Sequence, residues 1–302
     1  MSDTTNTRAF GLPDLAMVLT SACWGLNFVI TKSAAGDDPE QFRLFIYNLI
    51  RFPAASALLF MTARVRGDTI RLSGKYLGAA ALLSFVGIFM YQMLYMIGQI
   101  ITSSANVGIV YGFTPLAILV LAVCARIERP TVFTVTGVTL GFFGLSMILF
   151  KGGRLMVDAG SFLMFLAVVC FAGYAVFGKR ILDKYSPVTV TAWMLLFGAL
   201  FQLPLALWQL PQQSWTDLTG VNILYVILAA LLSQYTGYTL FYYSISRIGP
   251  ARTGVYSNLT PVFTLIFASL IRHEKILPIQ IAGLTVIIAG IVVTKIRKHE
   301  KP

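Results

Sequence analysis

Apolar runs of about 18 residues or more recur along the chain from Leu15 onwards, separated by short polar stretches. Backbone groups in hydrocarbon must bond within their own segment, so each run predicts a transmembrane helix. Ten spans are expected, at about 15–35, 42–62, 76–97, 104–124, 131–149, 158–180, 187–208, 220–245, 252–271 and 278–296. The chain is therefore expected to divide into a tail 1–14, a first five-helix unit 15–149, a linker 150–157, a second five-helix unit 158–296 and a tail 297–302. A cleaved signal peptide is the rival reading of the first span. Its approach holds Asp3 and Asp14 against Arg8 alone, and the apolar run is too long for a signal sequence.

Composition agrees with the pattern. Of 302 residues 57% are apolar and 12% charged, with a mean hydropathy of +0.78, against about a quarter charged in soluble domains. A net charge of +11 would suggest nucleic acid in a soluble chain. Here it has a membrane explanation, because cytoplasmic loops collect Lys and Arg. With both termini inside, the cytoplasmic tails and loops hold 16 of the 23 cations and the outer loops 6, with Arg51 inside a span. A multi-pass membrane protein with cytoplasmic termini is the expectation. Its partners are the lipid bilayer and a small-molecule substrate, not nucleic acid.

Little catalytic chemistry is on offer. Cys23, Cys124 and Cys170 lie in apolar runs without metal-ligand spacing, and His273 and His299 lie at segment ends. No zinc-protease, nucleophile-elbow or phosphate-loop motif occurs, so neither enzyme activity nor a metal or other cofactor is expected.

The two units repeat each other. At an offset of 147, Cys23-Trp24 falls on Cys170-Phe171, Lys32 on Lys179, and Tyr91 and Tyr95 on Tyr238 and Tyr242. The offset then becomes 146, and eleven positions from Ala105 to Gly144 match identical residues, among them Thr114, Pro115, Glu128, Gly137 and Gly144. Five helices per unit is an odd number, so the second unit enters the membrane upside down. Inverted repeats mark transporters whose substrate site lies near the bilayer midplane between the halves.

Several residues fit such a site. Tyr91 and Tyr95 share a helix face, as do Tyr238 and Tyr242, Trp24 and Asn27, and Phe171 and Tyr174. Flat apolar walls with hydroxyl and amide groups suit an apolar or aromatic metabolite, although most membrane aromatics only pack or sit at interfaces. Pro115 and Pro261 free the carbonyls of Tyr111 and Ser257 and act either as hinges or as static kinks. Tyr111 and Asn258, a few residues before these prolines, complete the candidate lining. Arg51, the ionisable residue deep in a span, either meets a substrate carboxylate or anchors its helix through carbonyls or Asn48. Glu128 and Glu274, flanked by cations, read as gate residues or as local ion pairs. The glycines at 137, 141, 144, 283 and 290 read as close helix packing within a monomer, with a dimer seam as the alternative.

These residues resemble a known family. Cys23-Trp24-Gly25-Leu26-Asn27-Phe28, Arg51-Phe52, and the runs Thr114-Pro115 to Glu128 and Thr260-Pro261 to Glu274 resemble the EamA-type branch of the drug/metabolite transporter superfamily. The likeness spans essentially the whole chain and is greatest to bacterial exporters of aromatic amino acids and other metabolites. It implies an all-α integral membrane fold of ten helices in two inverted five-helix repeats, an export role, and a structural part for Arg51. The spans lack a mid-membrane carboxylate, unlike small multidrug exporters, and hold few cations for a phosphorylated substrate. The expected function is export of amino acids with aromatic or other apolar side chains, by alternating access through a central cavity. A multidrug exporter is the alternative within transport, and an intramembrane enzyme or receptor-like scaffold the alternative outside it.

Overall fold

The computed structural model describes residues 10–35, 44–102, 110–129, 131–149, 158–213, 215, 220–272 and 277–294. Residues 1–9, the linker 150–157, His273, Glu274, His299 and the 297–302 tail lie outside the described residues, as does the side chain of Lys32. Every described element is helical. In the first half, α1 (Leu12–Ala35) and α2 (Leu44–Val65) are followed by α3 (Gly74–Ser84), a π-helical segment Phe85–Met90 and α4 (Tyr91–Ile101), which run on without a break. Then come α5 (Thr114–Cys124) and α6 (Val132–Leu149). The second half holds α7 (Ala159–Leu182), α8 (Pro187–Gln209), then α9 (Gly220–Leu228), a second π-helical segment Ala229–Gly237 and α10 (Tyr238–Ile248). It continues as α11 (Pro250–Tyr256), α12 (Leu259–Arg272) and α13 (Pro278–Thr294).

Among the described residues, six stretches are long and apolar enough to cross a membrane: Phe45–Val65, Gly74–Gly98, Ala159–Leu182, Pro187–Gln212, Gly220–Ile248 and Pro250–Ile271. Val110–Cys124, Val132–Met147 and Pro278–Thr294 are shorter apolar helices. Helix starts carry local reasons. Asp158 accepts from the Ser161 amide at 2.7 Å and caps α7, while Ser186 accepts from Thr189 at 3.2 Å and caps α8, with Pro187 in its first turn.

The principal packing pairs are α6 with α13, α2 with α8, α4 with α7, and α1 with both α10 and α12. Shifting first-half numbers by the repeat offset maps these pairings onto one another. The α4–α7 pair becomes α10–α1, and α5–α7 becomes α12–α1. The matched helices α6 and α13 meet through glycine. A Cβ at Gly137 would lie 2.5 Å from the Gly290 carbonyl oxygen, and one at Gly144 would lie 2.6 Å from that of Gly283. Residue numbers rise along one helix as they fall along the other, so the two are antiparallel. Without a hydrophobic driving force in lipid, close backbone approach of this kind holds helices together. The small residues therefore serve packing inside one chain.

Two features depart from the expected plain helices. The third and eighth predicted spans each contain a π-helical segment, and the two segments end at Met90 and Gly237, at the repeat offset. A π turn leaves carbonyls without their usual partner. In the second segment helix α1 supplies donors: Trp24 Nε1 to the Ser233 carbonyl and Thr20 Oγ1 to that of Gly237, both at 3.3 Å. The prolines differ too. They were expected inside continuous helices, but the helix breaks at Phe113 and at Ser257-Asn258, and Pro115 and Pro261 stand in the first turn of the new segments α5 and α12. Thr114 Oγ1 donates to the freed Tyr111 carbonyl at 2.5 Å, and the Thr260 amide to that of Ser257 at 3.0 Å.

Candidate functional site

Four long helices, two from each half, bring aromatic residues together at the centre. Trp24 on α1 lies edge-on to Tyr238 on α10, with ring centroids 5.5 Å apart, and 5.4 Å from Phe241. Phe171 on α7 is 5.4 Å from Tyr91 on α4, 5.6 Å from Phe241 and 6.1 Å from Tyr174. Tyr174 continues to Tyr242 at 5.0 Å, and Tyr91 to Tyr95 at 5.8 Å and on to Tyr111 at 6.4 Å. The repeat mates Trp24 and Phe171 thus face each other at 6.3 Å.

Burial is graded through this cluster. Tyr174 and Tyr242 are fully buried and Tyr91 is 9% exposed, while Tyr95, Tyr111 and Asn27 are only partly buried. The cluster is sealed at its Tyr242 end, where the hydroxyl donates to the Tyr174 carbonyl at 3.3 Å, and looser at its Tyr95 end. Gly87 and Gly237 make this closeness feasible, because a Cβ there would collide with the Tyr174 ring and with Trp24 respectively.

Polar atoms on the helices that build this cluster, and on α2 and the second π-helical segment beside them, lack partners. Asn27 Oδ1, Gln234 Oε1, the Tyr174 hydroxyl and Arg51 Nη1 are buried and make no hydrogen bond. Orphaned polar groups in an interior are uncommon and call for an explanation. Asn258, also expected in the lining, is placed elsewhere: it is buried against Gly141 on α6. Phe241 was not anticipated, although its position one helical turn after Tyr238 puts it on the same face. Gln234 was missed as well, since its place depends on the π-helical segment.

Towards the loops between the helices, contacts join the halves. From sequence Glu128 reads as a gate residue or as half of a local ion pair. Instead its carboxylate accepts the Ala251 amide at 3.1 Å, at the start of α11. Burial pushes its pKa above the usual carboxylate value, opposed by that amide and by Arg252 and Lys179. Lys179 pairs with Asp183 at the end of α7. Asp14, near the start of α1, is 5% exposed and accepts hydrogen bonds from the Gly11 amide at 2.9 Å and from the Tyr256 hydroxyl. A separate cavity of about 370 Å³, lined by Arg66, Ser186, Tyr243 and Arg247 among others, lies between the ends of α2, α7, α8 and α10.

Apolar spanning helices packed around a two-sided aromatic cluster define a multi-pass membrane transporter, not an enzyme. The chain belongs to the EamA-like transporter family, which matches residues 11–150 and again residues 158–296. It is 25% identical over 267 residues to the uncharacterized transporter YetK of Bacillus subtilis, covering 86% of this chain and 81% of that one. An uncharacterized transporter of Archaeoglobus fulgidus is 26% identical over 292 residues, 95% of this chain and 98% of the other. A probable terminal-alkyne amino-acid exporter of Streptantibioticus cattleyicolor is 23% identical over 282 residues, 91% and 93% of the two chains. A solved crystal structure superposes with a TM-score of 0.78 over 93% of this chain and 95% of its own, at 18% identity, which speaks to the fold alone.

Proposed function

We propose that this protein exports amino acids with aromatic or other apolar side chains, and similar small metabolites, by alternating access. In this reading ten helices form two inverted repeats, 15–149 and 158–296, in a bacterial inner membrane with both termini cytoplasmic. The antiparallel glycine crossing of α6 and α13 and the twofold family match support the repeat. The observation that carries the function is the ring cluster. It is built by both halves, flanked by unpartnered buried polar atoms, and graded from sealed to loose. Stacking surface with a few orienting polar groups is what an aromatic amino acid requires. The named amino-acid exporter among the relatives points the same way.

With the N-terminus inside, α4 runs outward and α10 inward, so the sealed Tyr174–Tyr242 end faces the cytoplasm and the looser Tyr95–Tyr111 end faces out. The conformation is then one closed inwardly and ready to release substrate outside. Pro115 and Pro261, at the helix breaks, are the hinges about which the halves rock.

Counterflow in proteoliposomes tests the reading, with labelled aromatic amino acids, a polar amino acid, a nucleotide sugar and a cationic dye. Exchange of the aromatic amino acids supports it. Uptake of the dye alone moves the assignment to a multidrug exporter, and no uptake of any compound removes transport of these classes.

A further inference from the structure

Arg51 lies on α2, seven residues past its first residue Leu44, and is 5% exposed. Its guanidinium is held firmly but not neutralised. Nε donates to Asn48 Oδ1 at 2.9 Å, Asn48 Nδ2 donates to Gln202 Oε1 at 2.7 Å, and Gln202 Nε2 donates to the Gly198 carbonyl at 3.1 Å. The Tyr47 ring lies 4.4 Å from Cζ and the Phe52 ring 5.3 Å. Each of these neighbours is electrically neutral, and among the described residues the recorded ion pairs lie elsewhere, at Arg66–Asp68 and Lys179–Asp183.

A buried cation is costly unless an anion meets it, and ring faces compensate only in part. Of its nitrogens, Nη1 makes no hydrogen bond, although the Tyr47 side chain also lies close to the guanidinium. Its helix α2 also packs on the second π-helical segment, Ala229–Gly237, which runs directly into Tyr238, a ring that touches Trp24 and Tyr174. The amide relay from α8 fixes the guanidinium plane through Nε and leaves Nη1 to an incoming group. A carboxylate is the anion that matches this donor set, and arginine binds it with directional, charge-assisted bonds.

We propose that Arg51 is the anchor for the substrate's carboxylate. The proposal rests on the amino-acid reading above and narrows it: the transported class must carry a free carboxylate, with its apolar side chain laid against the ring cluster. Carboxylate-free cations of similar shape are excluded by the buried charge.

The test is counterflow of labelled phenylalanine by the full-length protein, in competition with phenylpropionate, phenylalanine methyl ester and phenethylamine. Phenylpropionate keeps the carboxylate and should compete. The ester and the amine lack it and should compete about ten- to a hundredfold less well, as expected when a charge-assisted hydrogen bond is lost. Arg51→Gln should bring the preference for phenylalanine over its ester towards one, and Arg51→Lys should retain part of it. A merely structural arginine would lower all rates and leave that ratio unchanged. Should Arg51→Gln fail to fold, the native competition ratios and Arg51→Lys decide. Native protein that carries phenylalanine but is competed equally well by the ester and the amine overturns the anchor alone. Absence of phenylalanine counterflow overturns the amino-acid reading, and the anchor with it.

Discussion

The Glu128 carboxylate accepts the backbone amide of Ala251 at 3.1 Å, so a loop of the first half caps a helix of the second. The fit is tight. Gly249, just before α11, has φ +82°, and a Cβ there would strike the Glu128 carboxylate. The clasp therefore depends on glycine twice, for its backbone conformation and for the space it leaves.

Glu128 gives a pH-dependent prediction. Burial raises its pKa in the folded protein above the unfolded value, so the folded state binds the proton more tightly. Its favourable contribution is complete below the ordinary carboxylate range, near pH 4, and is lost as pH rises through the raised folded value. Glu128→Gln cannot titrate. The thermal midpoint of this variant in detergent, measured relative to native protein, should therefore climb as pH rises above about 4. A difference that is flat or falls with pH contradicts the buried environment. Gly249→Ala should cost about 1–3 kcal/mol from its backbone conformation, with the collision against the Glu128 carboxylate adding to it.

Gly144 makes a prediction about assembly. Its missing Cβ lets α6 approach the Gly283 carbonyl on α13, within the same chain. Gly144→Val overpacks that crossing and should destabilise the protein by about 1–3 kcal/mol in unfolding measurements. Chemical crosslinking should show no change in oligomeric state. Loss of a dimer with unchanged monomer stability would instead return these glycines to an intermolecular seam.

How far the sequence carried the structure depended on what kind of force placed each residue. Trp24, Phe171 and the paired tyrosines were legible, because helical spacing and duplication put them on faces that must meet. The π-helical segments were not, and in the second of them the donors come from elsewhere, Trp24 and Thr20 reaching over from α1. Gln234 was hidden for that reason. Asn258 is buried against Gly141 of α6, a neighbour in the first half that nothing close to it in the sequence reveals. Glu128 looked like a surface ion pair because its flanking cations are visible in sequence, whereas its partner Ala251 is distant in the chain and offers only a backbone amide.

Tyr95 tests the ring cluster where it is loosest. It stacks between Tyr91 and Tyr111 and is partly buried, so its removal spares the sealed core. Tyr95→Ala deletes stacking area, and a lost aromatic contact of up to about 1.5 kcal/mol corresponds to roughly tenfold in affinity. Aromatic substrates should lose that factor in apparent affinity, and small aliphatic ones much less. An equal loss for both classes would place Tyr95 in helix packing.

The last prediction concerns energy coupling. A proton-driven carrier needs a group that gains a proton on one side and loses it on the other, ordinarily a carboxylate or a histidine at the transport path. The sequence places no carboxylate in the middle of a span, and the aromatic cluster is accordingly built from rings, amides and one arginine. Asp14 is the nearest approach to such a group. It is buried, but at the start of α1, where the Gly11 amide and the Tyr256 hydroxyl bind its two oxygens and join α1 to α11. That arrangement ties two helices together at one end and stands apart from the ring contacts. Transport should therefore run down the substrate's own gradient. In sealed vesicles, an imposed pH gradient with the membrane potential clamped should produce no accumulation above equilibrium, and Asp14→Asn should lower thermal stability without altering the exchange stoichiometry. Accumulation that vanishes when the pH gradient is collapsed, and vanishes again in Asp14→Asn, would make Asp14 the proton carrier and the Tyr256 bond its release switch.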